Sequence, residues 1–164
     1  MQYKYHMLGT LAESRAISEF VKLGFFVFTP FSEASPVDFI AYMDEPKTIY
    51  RIQVRSTSSI RRSNYRVDLR STNPLYYKNF DPNSCDILVC YIVPLDTLCY
   101  ISASEIESSS ISFRSEYSKA AINQHRQWVI SDYSNLEKLI TGWSRTTGVL
   151  PGRTRAHGPS SKGF

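Results

Sequence analysis

The chain has 164 residues, 42% apolar and 21% charged, a balance that suits one globular domain with a sizeable core. Its three cysteines, Cys85, Cys90 and Cys99, form no Cys-x-x-Cys pair, which argues against a disulfide or zinc framework and for buried thiols in a reducing compartment. The formal net charge of +4 equals that of the segment from Gly142 onward, where Arg145, Arg153, Arg155 and Lys162 stand without an acid, so the basic field is local.

The opening stretch 1–6 is polar and aromatic, unlike a signal peptide, and no apolar run reaches membrane-spanning length; the expectation is a cytoplasmic protein with no membrane partner. Residues 5–23 are predicted to be a helix, with Leu8, Leu11, Ala12, Ala16 and Phe20 on one stripe and Gly24 as its stop. Glu13 lies beside that stripe. A short strand over 25–28 ends at Thr29-Pro30, and a polar loop leads to a strand that starts at Val37 and carries Asp38. The turn 44–47 returns the chain as an antiparallel strand over 48–55. Residues 56–64 are rich in Ser and Arg, and 65–69 alternate like a strand with one dry face.

Tyr76, Tyr77 and Phe80 suggest a short helix. The unbroken apolar run 87–93 predicts a central strand covered on both faces, with a partner over 98–101. A short helix or loop over 102–110 precedes a small edge strand at 111–114. Residues 135–143 read as a helix with Leu136, Leu139, Ile140 and Trp143 on one side. The organisation is a domain over 1–143 and a flexible tail over 144–164, which either attracts nucleic acid or aids solubility. Helix, strands, then helices suit an α/β or α+β fold with a mixed central sheet flanked by helices.

Four polar residues in the first third stand out: Glu13, Asp38, Gln53 and Arg55. Hydrolysis of a phosphodiester needs an activated water and stabilisation of charge on the phosphorus oxygens. A hard divalent ion held by oxygen ligands supplies both. Asp38 interrupts an apolar strand, where an unpaired charge is costly. Gln53 offers an amide oxygen, Val54 a backbone carbonyl, and Glu13 a carboxylate acting directly or through water. Arg55 shares the face of Gln53 because strand side chains alternate. His6, His125 and His157 follow no ligand spacing, and Asp86, before the central strand, reads as structural.

Glu13 within 9–14, the segment 24–30, Asp38 within 36–40 and Gln53 and Arg55 within 52–56 together resemble the PD-(D/E)XK nuclease superfamily. More narrowly, they resemble the small intron-encoded homing endonucleases with the restriction-endonuclease fold, in which Gln replaces the motif acid. The stretches 85–89, 99–101 and 111–114 are also similar, so the resemblance runs from about residue 6 to about 140. It implies a restriction-endonuclease-like core and site-specific, Mg²⁺-dependent cutting of double-stranded DNA, with Mn²⁺ able to substitute. It places Glu13, Asp38, Gln53 and Val54 at the metal and Arg55 at the catalytic cation. The family pattern has Lys where Arg55 stands. Arg keeps the charge and can grip a phosphate with two hydrogen bonds, but it does not deprotonate to act as a base. Turnover at a reduced rate, a relocated cation (Arg51 on the same face, or Lys47) and a silent DNA-binding protein all follow as options, with a junction resolvase as a further enzymatic alternative.

Between residues 56 and 70 lie Arg61, Arg62, Arg66 and Arg70, with Asp68 the one acid. Arg66, Asp68 and Arg70 share a strand face, and with Asn64 and Tyr65 they form a candidate ribbon for a DNA groove. One small domain presents one active site, so cutting both strands implies a homo-oligomer, dimer or tetramer. The C-terminal helix, with Leu139 and Trp143, and the segment Tyr76-Tyr77 are the candidate association surfaces.

Overall fold

In a computed structural model that describes residues 2–32, 35–61, 63–70, 80–116 and 127–146, Ala12, Ala16 and Phe20 form the buried face of helix α1 (Gln2–Lys22). The helix stops at Gly24, whose φ of +87° is a left-handed conformation that glycine adopts without a Cβ penalty. The N–H of Phe25 donates to Phe20 O at 3.1 Å and that of Gly24 to Val21 O at 2.9 Å, a Schellman closure. The Phe25 ring then packs edge-on to Phe20 at 5.6 Å. Phe20 also meets Phe39 at 5.4 Å, so the residue whose carbonyl accepts the closing bond also docks the helix on the sheet.

The sheet beneath α1 comprises β1 (Phe26–Phe28), β2 (Phe39–Met43), β3 (Thr48–Thr57), β6 (Ile87–Ile92) and β7 (Thr97–Ser102), in that spatial order. Its pairs are antiparallel except β3 with β6, which are parallel. The predicted hairpin is β2–β3. Strand β6 is buried along its whole length, as its unbroken apolar run requires.

A second, four-stranded sheet holds β4 (Ile60–Arg61), β5 (Asn64–Asp68), β8 (Ser110–Arg114) and β9 (Trp128–Val129), in that order. Helices α2 (Ile130–Tyr133) and α3 (Leu136–Thr146) follow. One face of the first sheet, with Tyr50, Ile52, Val54, Ile87, Val89 and Tyr91, packs on α1 and on Leu136, Leu139 and Ile140 of α3. The other face, with Leu88, Cys90, Ile92, Cys99 and Ile101, packs on Val67, Leu69, Ile111 and Phe113 of the second sheet. Helices cover one face of the central sheet and a sheet covers the other.

Several expectations change. Strand β8 is an inner strand between β5 and β9, not an edge. Leu139 faces the core rather than a partner. Arg61 and Arg66 belong to a four-stranded sheet, not to a free two-stranded ribbon. The three thiols are free and buried, as expected. Among the described residues no helix is long and apolar enough to cross a membrane. Tyr76, Tyr77, Arg62, the Trp143 side chain and the chain beyond residue 146 lie outside the described part.

Phe20 joins the helix that carries Glu13 to the strand that follows Asp38. Replacing it with Ala should cost roughly 3–5 kcal/mol in denaturant unfolding, while a distant exposed change such as Glu107→Ala should stay within about 0.5 kcal/mol.

Candidate functional site

Strand β2 begins at Phe39 opposite Ile52, so β3 from Gln53 onward has an open edge on that side. The chain before β2 closes it with a side chain. Asp38 N donates to Ile52 O at 2.9 Å, and Val54 N donates to Asp38 Oδ2 at 2.6 Å. A carboxylate thus takes the place of the ladder acceptor that Val54 would otherwise lack. The preceding loop is shaped by Ser35, whose hydroxyl donates to Val37 O at 2.9 Å.

The N–H and C=O of Val54 both face this open edge, because backbone groups alternate along a strand. The carbonyl accepts from Arg55 Nη1 at 3.0 Å. Helix α1 approaches the edge from one face of the sheet, and β5 approaches from the other. Glu13, Asp38, Val54 and Arg55 consequently line one cleft of about 590 Å³, together with Leu8, Ser56, Thr57 and Arg66. Burial pushes the Asp38 carboxyl up, against the Val54 N–H and the Arg55 charge, which favour ionisation. Burial also raises the Glu13 carboxyl; the Asp38 charge adds to the rise and Arg55 opposes it. Two carboxylates and one guanidinium therefore share a field.

Gln53 does not line the cleft. It stands on the face of β3 turned toward the second sheet, and its Oε1 is buried with no hydrogen-bond partner among the described residues. An orphaned amide oxygen normally costs about 1–3 kcal/mol. Asp38, Val54 O, Gln53 Oε1 and Glu13 are all hard oxygen donors, the chemistry that fits Mg²⁺ or Mn²⁺. Among the described residues no three His, Cys, Asp or Glu side chains gather. The donors thus fit an ion that keeps part of its water shell better than one in an all-carboxylate cage.

Arg55 forms no ion pair with Asp38 or Glu13 among the described residues; it binds its neighbour's carbonyl instead. Arg51 is not a substitute cation. Its guanidinium pairs with Asp86 at 2.9 Å and donates to Asn83 O at 2.9 Å, and its N–H donates to Asp86 Oδ2 at 2.7 Å. Lys47 lies in the turn at the far end of the hairpin. Asp86 is structural, as expected.

The far wall of the cleft is basic. Arg66, Asp68 and Arg70 line it, with Val67 and Leu69 turned into the core. Thr57 fastens this wall to β3 by donating to Arg66 O at 2.7 Å. Tyr65 packs against the core rather than standing with Arg66. Asn64 pairs with Arg61 and Arg114 in the second sheet. Ser56, Ser58 and Ser59 also line the cleft; the polar run that follows Arg55 was their signal in the sequence.

The family model for PD-(D/E)XK endonucleases matches residues 3–135. Members of that family generally use divalent metals. A solved structure of a bacterial homing endonuclease, I-Ssp6803I, is similar with a TM-score of 0.65 and 23% identity, covering 87% of this chain and 96% of that one. It shares the restriction-endonuclease-like fold. No curated protein matches.

A carboxyl raised by folding binds its proton more tightly in the native state. Its stabilising contribution is therefore present at low pH and is lost as pH rises through the folded value. Asp38→Asn keeps an oxygen for the Val54 N–H and removes the charge. It should raise the metal-free melting temperature by a few degrees at neutral pH. Wild type should gain stability from Mn²⁺ increasingly as pH rises from about 5 to 8, and Asp38→Asn should gain none. A destabilised variant that keeps the metal-induced shift would contradict the assignment.

Proposed function

The chain belongs to the PD-(D/E)XK endonuclease family, and from that premise we propose that it is a Mg²⁺-dependent endonuclease of the homing type, cutting double-stranded DNA at a specific site in the cytoplasm. The observation that carries this reading is the open edge of β3. There Asp38, Glu13, Val54 and Arg55 line one cleft with Arg66 and Arg70, and Gln53, the residue before Val54 on the same strand, carries a buried oxygen without a partner among the described residues.

Mg²⁺, or Mn²⁺ in its place, supplies an activated water and neutralises charge on the phosphate when bound. Asp38, Val54 O, Gln53 and Glu13 are the residues that would hold it. Asp38 is fixed by the Val54 N–H, so its second oxygen is aimed without further ordering. Arg55 exchanges the Val54 carbonyl for a phosphate oxygen and stabilises charge there as a bidentate donor. Because a guanidinium does not deprotonate, it orients and stabilises but does not act as a base. Arg61, Arg62 and Arg66 supply phosphate attraction that weakens with salt. Cutting both strands calls for a second copy of the site. The exposed Phe26, Phe28 and Ile49 on the β1–β2–β3 side of the sheet supply apolar surface for that association, as a dimer or tetramer. An origin inside an intron belongs to the same reading.

A silent DNA-binding protein is the rival, favoured by one contact: the Arg55 guanidinium occupies the Val54 carbonyl. Incubation with Mg²⁺ or Mn²⁺ and a plasmid library of candidate sites separates the two. The wild type should cut, Asp38→Ala should lose roughly 10²–10³-fold or more, and Arg55→Lys should cut at least as well as wild type. Cutting by Arg55→Lys alone would establish the silent protein. Selective cutting of four-way junctions would make the protein a junction resolvase.

A further inference from the structure

Building on the reading of this cleft as a DNA-cutting site, we propose that Asp68 and Arg70 act as one base-reading unit that selects a guanine within a few base pairs of the scissile phosphate. Asp68 is the last residue of β5, and both side chains line the cleft that holds Asp38 and Arg55. Asp68 Oδ1 accepts from the Arg70 backbone N–H at 3.0 Å and from Arg70 Nε at 3.0 Å, and Oδ2 accepts from Nη2 at 2.6 Å. The carboxylate grips the Nε–Nη2 side of the guanidinium edge-on. Three contacts thereby hold a long side chain that would otherwise sample many rotamers. The orientation is set by the Nε–Nη2 grip, and the end-on fork of Nη1 and Nη2 has the spacing that matches O6 and N7 of guanine in the major groove.

Charge separates this pair from a phosphate clamp. Arg70 and Asp68 cancel, and the Arg70 guanidinium holds the Asp68 carboxyl down at about 2, so the pair stays ionised at every working pH. A neutral pair gains little from a phosphate, and its carboxylate repels one. A G·C pair suits both halves, because guanine offers acceptors to the fork and the cytosine N4 amine offers a donor to a carboxylate. Arg66, on the same strand and lining the same cleft, is a further cation that helps hold Asp68 ionised, and it takes the phosphate role.

The test is selection of duplexes from a randomised library by the full-length protein in EDTA, with salt titrations of the selected sequence. Wild type should prefer guanine at one position by about tenfold or more. Asp68→Asn should lose that preference and steepen the salt dependence by about one phosphate equivalent. Arg66→Ala should keep the preference and make the dependence shallower by about one. A guanine preference that survives Asp68→Asn, or a uniform loss of affinity at unchanged slope, would overturn the inference. Binding without any such preference in the wild type would overturn the inference alone, whereas failure to bind any duplex would overturn the nuclease reading with it. The pair is exposed on the surface, so the variants should melt like wild type.

Discussion

A single hydrogen bond organises the site: the N–H of Val54 donates to the Asp38 carboxylate at 2.6 Å. It closes a strand edge that β2 leaves open, and it fixes an acid where burial disfavours its charge. The raised Asp38 and Glu13 carboxyls and the orphaned Gln53 oxygen are local arrangements that cost stability. Such costs concentrate where a fold is shaped for chemistry rather than for its own stability. They are borne here by two dry cores, one on each face of β6.

The open edge also explains how residues from opposite faces of a sheet meet. Glu13 comes with α1 from one side, while Gln53 and Arg55 turn toward the second sheet. Neither face alone holds the set; past the end of β2, Glu13 and Arg55 reach one cleft from opposite faces, while Gln53 stays outside its lining. The Arg15–Asp96 ion pair at 2.9 Å and the Tyr91 hydroxyl donating to Asp96 at 2.7 Å brace α1 against the β6–β7 turn.

Much of this was legible in the sequence because local pattern and tertiary role agree. The stripe on α1, the hairpin around residues 44–47 and the apolar run of β6 each carry their own period. The motif around Glu13, Asp38, Gln53 and Arg55 pointed to the family that the match over residues 3–135 bears out. The second sheet was hidden for a physical reason. Strand β9 is two residues long and pairs in parallel with β8, so nothing local announces it, and β8 without it reads as an edge. Arg51 was placed with the site by strand alternation alone; its partner Asp86 lies 35 residues away. Alternation likewise put Gln53 beside Arg55, but it could not show that the amide oxygen would be sealed from solvent without a donor.

Metal binding here turns on whether the Asp38 carboxylate and the Gln53 oxygen act as one oxygen-lined cradle for a hard cation. Anomalous diffraction from crystals grown with Mn²⁺ reads that directly. A single strong peak bonded to Asp38 and to Gln53 Oε1 is expected. A peak bonded elsewhere, or no peak with Gln53 Oε1 taken by a protein donor, would contradict it.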